Sequence, residues 1–447
     1  MKFQLIISGI LAICLGFFSF AVQALPSFAR QTNQECSTCH IGSFGPQLTA
    51  YGIKFKIGGY LETNVSDAPL IPLSGMALAG FTATNSDITP PNSSYNANNN
   101  LALIQASAFL AGKLYDNIGS LIQGTYDGVS KKFLLDMVDI RYARETSLFD
   151  EDMTVGLSLN NNPTAQDPFN SSAAWRFPYA TTSLANVPGT SPLIDGALAG
   201  TVFGLTGYTY LDRGIYAEFG GYMPSSPQYQ YVTTGSAVTP SSPSYSLSGF
   251  APYGRLAYMK DMKKSMFTAG FFALKGKLRT LNSTDQSDGF LDWGFDGNYQ
   301  YLGTREHVFA VGGSYTHESV TWGQSWLNGG TVSNHTDTLH EINIHTSYYY
   351  DKTYGASIAF FDVLGKSDFL YYNNLYATNG NPNTNTPDSN GLIYQLDWTP
   401  FGKENSWGAY YANLRIGAQF TAYNKFNGNT TGASTNNTAF IFAWTAF

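Results

Sequence analysis

Strict alternation of side-chain character is the feature that most limits what this chain can fold into. Across Leu291–Tyr301 the odd positions are Leu291, Trp293, Phe295, Gly297, Tyr299 and Tyr301, and the even ones are Asp292, Gly294, Asp296, Asn298 and Gln300. Tyr410–Ala422 repeats the pattern. Tyr410, Ala412, Leu414, Ile416, Ala418, Phe420 and Ala422 share one face, opposite Tyr411, Asn413, Arg415, Gly417, Gln419 and Thr421. A period of two puts neighbouring side chains on opposite sides of a strand, so each run is a strand with one mostly polar face. Leu339–Tyr350 alternates less cleanly and sets Glu341 and His345 on the same face.

About sixteen such segments are legible, near 73–84, 101–114, 117–126, 133–144, 153–160, 198–210, 214–223, 252–261, 266–278, 288–302, 305–317, 337–350, 354–363, 389–399, 409–423 and 437–447. The 133–144 segment alternates poorly, with Asp136 and Asp139 on opposite faces. Strands of this kind suit a large sandwich or a membrane barrel. Composition points to the same two classes, and aromatic residues at strand ends favour the barrel. Charged residues are 12%, with 30 Tyr and 31 Phe, against about a quarter charged in soluble domains. No apolar run after residue 24 approaches the ~20 residues of a spanning helix. The expected fold is an all-β transmembrane antiparallel barrel of about sixteen strands in a bacterial outer membrane, with aromatic girdles at the lipid interfaces. The run Phe440, Phe442, Trp444, Phe447 resembles the terminal signal of outer-membrane barrels.

Residues 1–24 read as a secretory signal peptide: Lys2, an apolar stretch over Leu5–Phe20, and small residues around Val22-Gln23-Ala24. Its loss removes Cys14 and one positive charge, taking the formal charge from −7 to −8. That mild acidity argues against nucleic acid as a partner.

Cys36-Ser37-Thr38-Cys39-His40 is the chemically specific run. A C-x-x-C-H box is the attachment pattern of a c-type haem: two thiols form thioethers, and the histidine supplies the proximal nitrogen to the iron. A zinc site needs two more ligands nearby, and residues 41–60 contain no Cys or His. A redox dithiol needs a βαβ context that is absent. The expectation is one covalent haem on Cys36, Cys39 and His40. Residues 25–60 form the monohaem segment and 61–447 the barrel. Domains below ~40 residues need a metal, disulfide or partner to fold, so the segment is expected to dock on the wall or plug the lumen.

Arg30, Lys54 and Lys56 flank the box and suit the two haem propionates; solvated charge is their alternative role. Residues 25–60 hold no Met, and no His besides His40, so a second axial ligand must come from the barrel. Met76 is the leading candidate, because alternation sets it with Ser74, Gly80 and Thr82. His345 is the runner-up, and a Met packing in a crowded barrel is the bland reading. Asp292, Asp296 and Glu341 are expected to line the lumen and steer cations. The long Asn160–Gly196 loop, with Trp175, Phe177 and Tyr179, either folds into the mouth or packs on its own rim.

Leu25–Thr32, Cys36–His40, Pro46, Leu48, Gly52, Phe55-Lys56 and Gly59-Tyr60 together resemble the fused monohaem cytochrome–porins, whose best-known members are outer-membrane iron oxidases. Asn161–Thr164, Trp175 and Pro178-Tyr179 extend the resemblance into the barrel; Asn33, Ile53 and the Gly42–Gly45 spacing depart from it. The resemblance implies a sixteen-stranded barrel, one c-type haem, and electrons taken from extracellular Fe(II) and passed to a periplasmic c-type cytochrome. This is Fe(II):cytochrome c oxidoreductase activity by outer-sphere transfer. The rivals are a porin with a redox-sensing haem plug and an outward conduit to an extracellular acceptor.

Overall fold

The computed structural model describes residues 26–64, 72–148, 150–235, 245–280, 286–327, 331–377, 384–403, 406 and 412–447. The signal-peptide reading over 1–24 lies outside them.

Among the described residues seventeen strand segments follow one another: β1 Leu73–Thr84, β2 Asn100–Tyr115, β3 Ile118–Asp127, β4 Lys132–Leu148, β5 Glu151–Asn160, β6 Val202–Leu211, β7 Ile215–Pro224, β8 Tyr245–Leu247, β9 Ala251–Asp261, β10 Ser265–Thr280, β11 Asp288–Tyr301, β12 His307–Thr321, β13 Thr336–Tyr350, β14 Tyr354–Gly365, β15 Ser389–Trp398, β16 Asn413–Lys425 and β17 Thr438–Ala446. β8 and β9 both pair with β10, one after the other along it (Leu247↔Leu278, then Tyr253↔Leu274). They are two halves of one stave, which leaves sixteen. Each stave falls on one segment read from the sequence, within four residues at either end, except that β8 starts its stave seven residues earlier.

All pairings are antiparallel, and β1 pairs with β17 as well as β2, so the sheet closes. Closure removes the edges that lipid could not hydrogen-bond. Outward positions carry the apolar surface: Leu205, Phe219, Leu256, Phe295, Ile344, Leu396 and Ile441 are all exposed. Tyr299, Tyr301, Tyr348, Tyr350, Tyr354 and Trp398 gather at one end of that belt. A closed barrel with an apolar outer band and an interfacial aromatic girdle is an outer-membrane β-barrel.

The connections distinguish the two ends. Short turns such as Asp212–Gly214, Met262–Lys264 and Asp351–Thr353 lie at one, and the long stretches 85–99 and 161–201 at the other. Short turns mark the periplasmic side. The chain before β1 therefore enters from the periplasm.

That leading segment forms a plug. It contains helices α1 (Pro26–Thr32), α2 (Cys36–Cys39) and α3 (Ala50–Ile57). Leu48, Ile53 and Ile57 pack on Tyr208, Tyr216, Met259 and Met266. Ile41 packs on Val308, Ala310 and Tyr349, Phe44 on Trp444 and Ala446, and Phe55 and Tyr60 on Phe109 and Leu121. These partners come from strands around the whole wall, all toward the short-turn end. Of the two placements open in the sequence, the segment takes the lumen.

Candidate functional site

α2 is a single turn, which sets Cys36 and Cys39 three residues apart on one side. His40 leaves it in extended conformation (φ −117°, ψ 138°), its N–H donating to the Cys36 carbonyl at 2.9 Å. The chain doubles back so that His40 bridges Leu48, and the Thr49 N–H donates to the Cys39 carbonyl at 2.9 Å. Thr49 then caps α3 by accepting from the Gly52 N–H. Gly52 is required here by close approach: a Cβ at this position would stand 2.5 Å from the Cys39 carbonyl oxygen.

The loop after β5 supplies the opposite wall by folding into the lumen. Asp167 meets Arg255 at 3.2 Å, and the Arg255 guanidinium donates to both Asp296 oxygens at 2.6 and 2.8 Å. The Ser171 hydroxyl donates to Asp296 at 2.5 Å. Farther along, Arg176 bridges Asp195 (2.5 Å) and Glu341 (2.6 Å), and the Gln419 amide donates to the Ala180 carbonyl. The Leu193 and Ile194 N–H groups donate to Glu318 and Asp292. Asp292, Asp296 and Glu341 do face inward, as alternation predicts. They hold this loop rather than standing free to steer cations.

Plug, loop and wall enclose a cavity of about 460 Å³, within the usual range of ligand sites. Cys36, Cys39, His40 and Met76 line it together, with Phe28, Phe44, Phe55, Tyr60, Phe109, Trp175 and Tyr179 among the remaining wall. Met76 comes from β1, where Leu78, Gly80 and Thr82 mark the inward parity. It packs beside Cys36, Phe44 and Trp444.

Burial decides the protonation of the box. It pushes His40 down to about 4, with the Arg415 cation adding to the effect and the Gly45 carbonyl opposing it, so the imidazole is neutral at physiological pH. His40 Nδ1 is buried and without a hydrogen-bond partner among the described residues. Burial likewise pushes the Cys36 thiol up to about 11 and Cys39 to about 12. Reactive dithiols and metal thiolates need lowered values.

The flanking cations part company. Lys56 is buried on the cavity wall and donates to the Ala165 carbonyl at 3.0 Å and to Asn170 at 2.8 Å. Arg30 lies away from the cavity, donating to the Leu73 carbonyl at 2.6 Å, and so fastens α1 to β1. Lys54 is solvent-exposed. His345 faces inward but engages the loop, with Nε2 3.4 Å from the Tyr179 hydroxyl and its ring 5.8 Å from Phe177. Arg176 and Asp136 line the cavity as well, and neither was expected there.

A buried cluster locks the plug. The Tyr60 hydroxyl donates to Asp139 at 2.7 Å, and Arg141 pairs with the same carboxylate at 2.9 Å. Arg141 also donates to the Lys56 carbonyl at 2.9 Å and to the Gln166 carbonyl.

No protein-family model matches the chain, and no curated protein does. Among solved structures it is similar to an outer membrane protein of Vibrio cholerae, OmpT with loop L8 deleted (10% identity, TM-score 0.42, 84% of this chain and 98% of that one). It is similar to an anion-selective porin from Comamonas acidovorans (11% identity, TM-score 0.45, 84% and 98%) and to the outer membrane channel DcaP of Acinetobacter baumannii (12% identity, TM-score 0.46, 84% and 96%).

Proposed function

We propose that this barrel holds one covalent c-type haem in the chamber between plug and inserted loop. It acts as an outer-membrane electron-transfer protein, taking electrons from extracellular Fe(II) and passing them to a periplasmic c-type cytochrome. The observation that carries this reading is the convergence of Cys36, Cys39, His40 and Met76 on one cavity.

The donor set fits the group. It offers two thiols one turn apart, a neutral imidazole, a thioether, and an aromatic lining. Lys56 and Arg176 line the same space and suit the two propionates. When bound, haem supplies reversible one-electron transfer that needs no proton transfer. The chain's own residues would hold it: Cys36 and Cys39 would anchor the group, and His40 and Met76 would offer a nitrogen and a sulfur to its iron. A thioether ligand raises the potential, which suits oxidation of Fe(II). Plug and loop both pack against the inner wall of the barrel, which favours this reading over an open solute pore.

The test is to purify the full-length protein, stain for covalent haem, titrate its potential, and mix it anaerobically with Fe(II) while following haem absorbance. The expected result is a covalent pigment that Fe(II) reduces. A preparation without covalent pigment overturns the haem assignment. A pigment that Fe(II) leaves oxidised overturns iron as the donor.

A further inference from the structure

β10 carries a pattern on its outer face that the chamber does not use. Phe267 and Phe271 face outward in the apolar belt, opposite Tyr299 and Phe295, and Ala273 stands opposite Trp293. Beyond them the outward positions change character. Lys275, Lys277 and Arg279 are all exposed and stand two residues apart, so they share that face. β10 runs from the short turn Met262–Lys264 toward the long-loop end, which puts the three cations at the outer rim. At ~3.3 Å per residue they extend over roughly 13 Å. Their cross-strand neighbours Leu291, Gly289 and Ser246 are uncharged. Among the described residues no carboxylate faces outward at this level on β8, β10, β11 or β12, since Asp288, Asp292 and Glu318 are buried on the lumenal side.

We propose that Lys275, Lys277 and Arg279 form a docking site for the phosphorylated headgroup of an outer-leaflet lipid. An apolar belt that gives way to uncompensated cations marks the level where acyl chains end and headgroups begin, and cations there attract anionic headgroups. Two ammonium groups and one guanidinium fork match phosphate oxygens in charge and donor geometry. Phe271 and Phe295, exposed below Lys275, and Leu291 beside it receive the acyl chains. That continuity with the belt selects a lipid over free phosphate. The site is independent of the chamber and its cofactor.

The test uses full-length protein in detergent, titrated with diphosphoryl lipid A and read by native mass spectrometry. Arms with the dephosphorylated lipid and with inorganic phosphate distinguish the sources. The triple variant Lys275→Gln, Lys277→Gln, Arg279→Gln is compared with a control triple at the other end, Lys260→Gln, Lys263→Gln, Lys264→Gln. Loss of three cations is expected to weaken lipid binding on the order of 100-fold, while the control changes little. Should the first triple fail to show heat-modifiable migration, Lys277→Gln alone is expected to weaken binding roughly fivefold. A loss no larger than the control's overturns the proposal. So does equal affinity for the dephosphorylated lipid. Inorganic phosphate binding as tightly as the lipid overturns the choice of a lipid.

Discussion

Lys56, on the last turn of α3, holds its ammonium group 4.2 Å from the centre of the Trp175 ring on the inserted loop. One side chain thereby joins the plug to the opposite wall of the chamber, and burial lowers its pKa to about 7 from the ordinary 10.5, with Arg141 pushing the same way.

That shift gives plug docking a pH dependence of defined sign. An undocked Lys56 regains the ordinary value, so between about pH 7 and 10.5 the undocked state binds more protons. Docking strengthens as pH rises through this window, by up to about 1.4 kcal/mol per unit. Below about 7 both states are charged and the penalty is constant. Protease cleavage within residues 26–64 should slow as pH rises above neutrality and level off below it, and Lys56→Gln should remove the slope.

Arg141→Ala leaves Asp139 buried without its cation and frees the Lys56 and Gln166 carbonyls. Losing one partner of a buried pair costs about 3–5 kcal/mol. The variant should conduct ions in a planar bilayer more readily than the parent. Adding Asp139→Asn should restore part of the seal, and equal conductance in all three would refute the lock.

Gly52→Ala places a methyl group against the Cys39 carbonyl, an immovable backbone neighbour. Overpacking of this kind costs about 1–3 kcal/mol and shifts the box relative to α3. The expected outcome is a normal barrel with less covalent pigment, scored by haem stain per unit of heat-modifiable protein.

His40→Ala should abolish reversible redox activity while the barrel still folds. Met76→Leu preserves the packing beside Phe44 and Trp444 but removes the sulfur, so the midpoint potential should fall. An unchanged potential and spectrum in Met76→Leu would exclude this residue as a ligand.

Most staves were legible because their two faces meet different solvents, lipid outside and a polar lumen within. β4 was the exception, for a geometric reason. β3 pairs Gln123 with Met137 and Gly124 with Leu135, leaving Asp136 as an extra residue. This bulge reverses parity, so Asp136 lines the chamber and Asp139 is also buried within, although alternation sets them apart. Parity did orient Met76, which precedes the irregularity in the β1–β2 ladder at Leu78/Ala79. The role of Arg176 had no local signature, since its partner Glu341 comes from β13, a distant part of the chain. Arg30 illustrates the converse: nearness to the box in sequence says little about direction, and its side chain turns to a strand backbone.

The chamber wall begins at Phe28 and Cys36 and is finished by Trp444 and Ala446 on β17. Opposite ends of the polypeptide thus meet across one small volume. A chain interrupted before its final stave would possess the cysteine box yet have no room built around it, so the capacity to hold anything there arises all at once, when the last segment locks against the first.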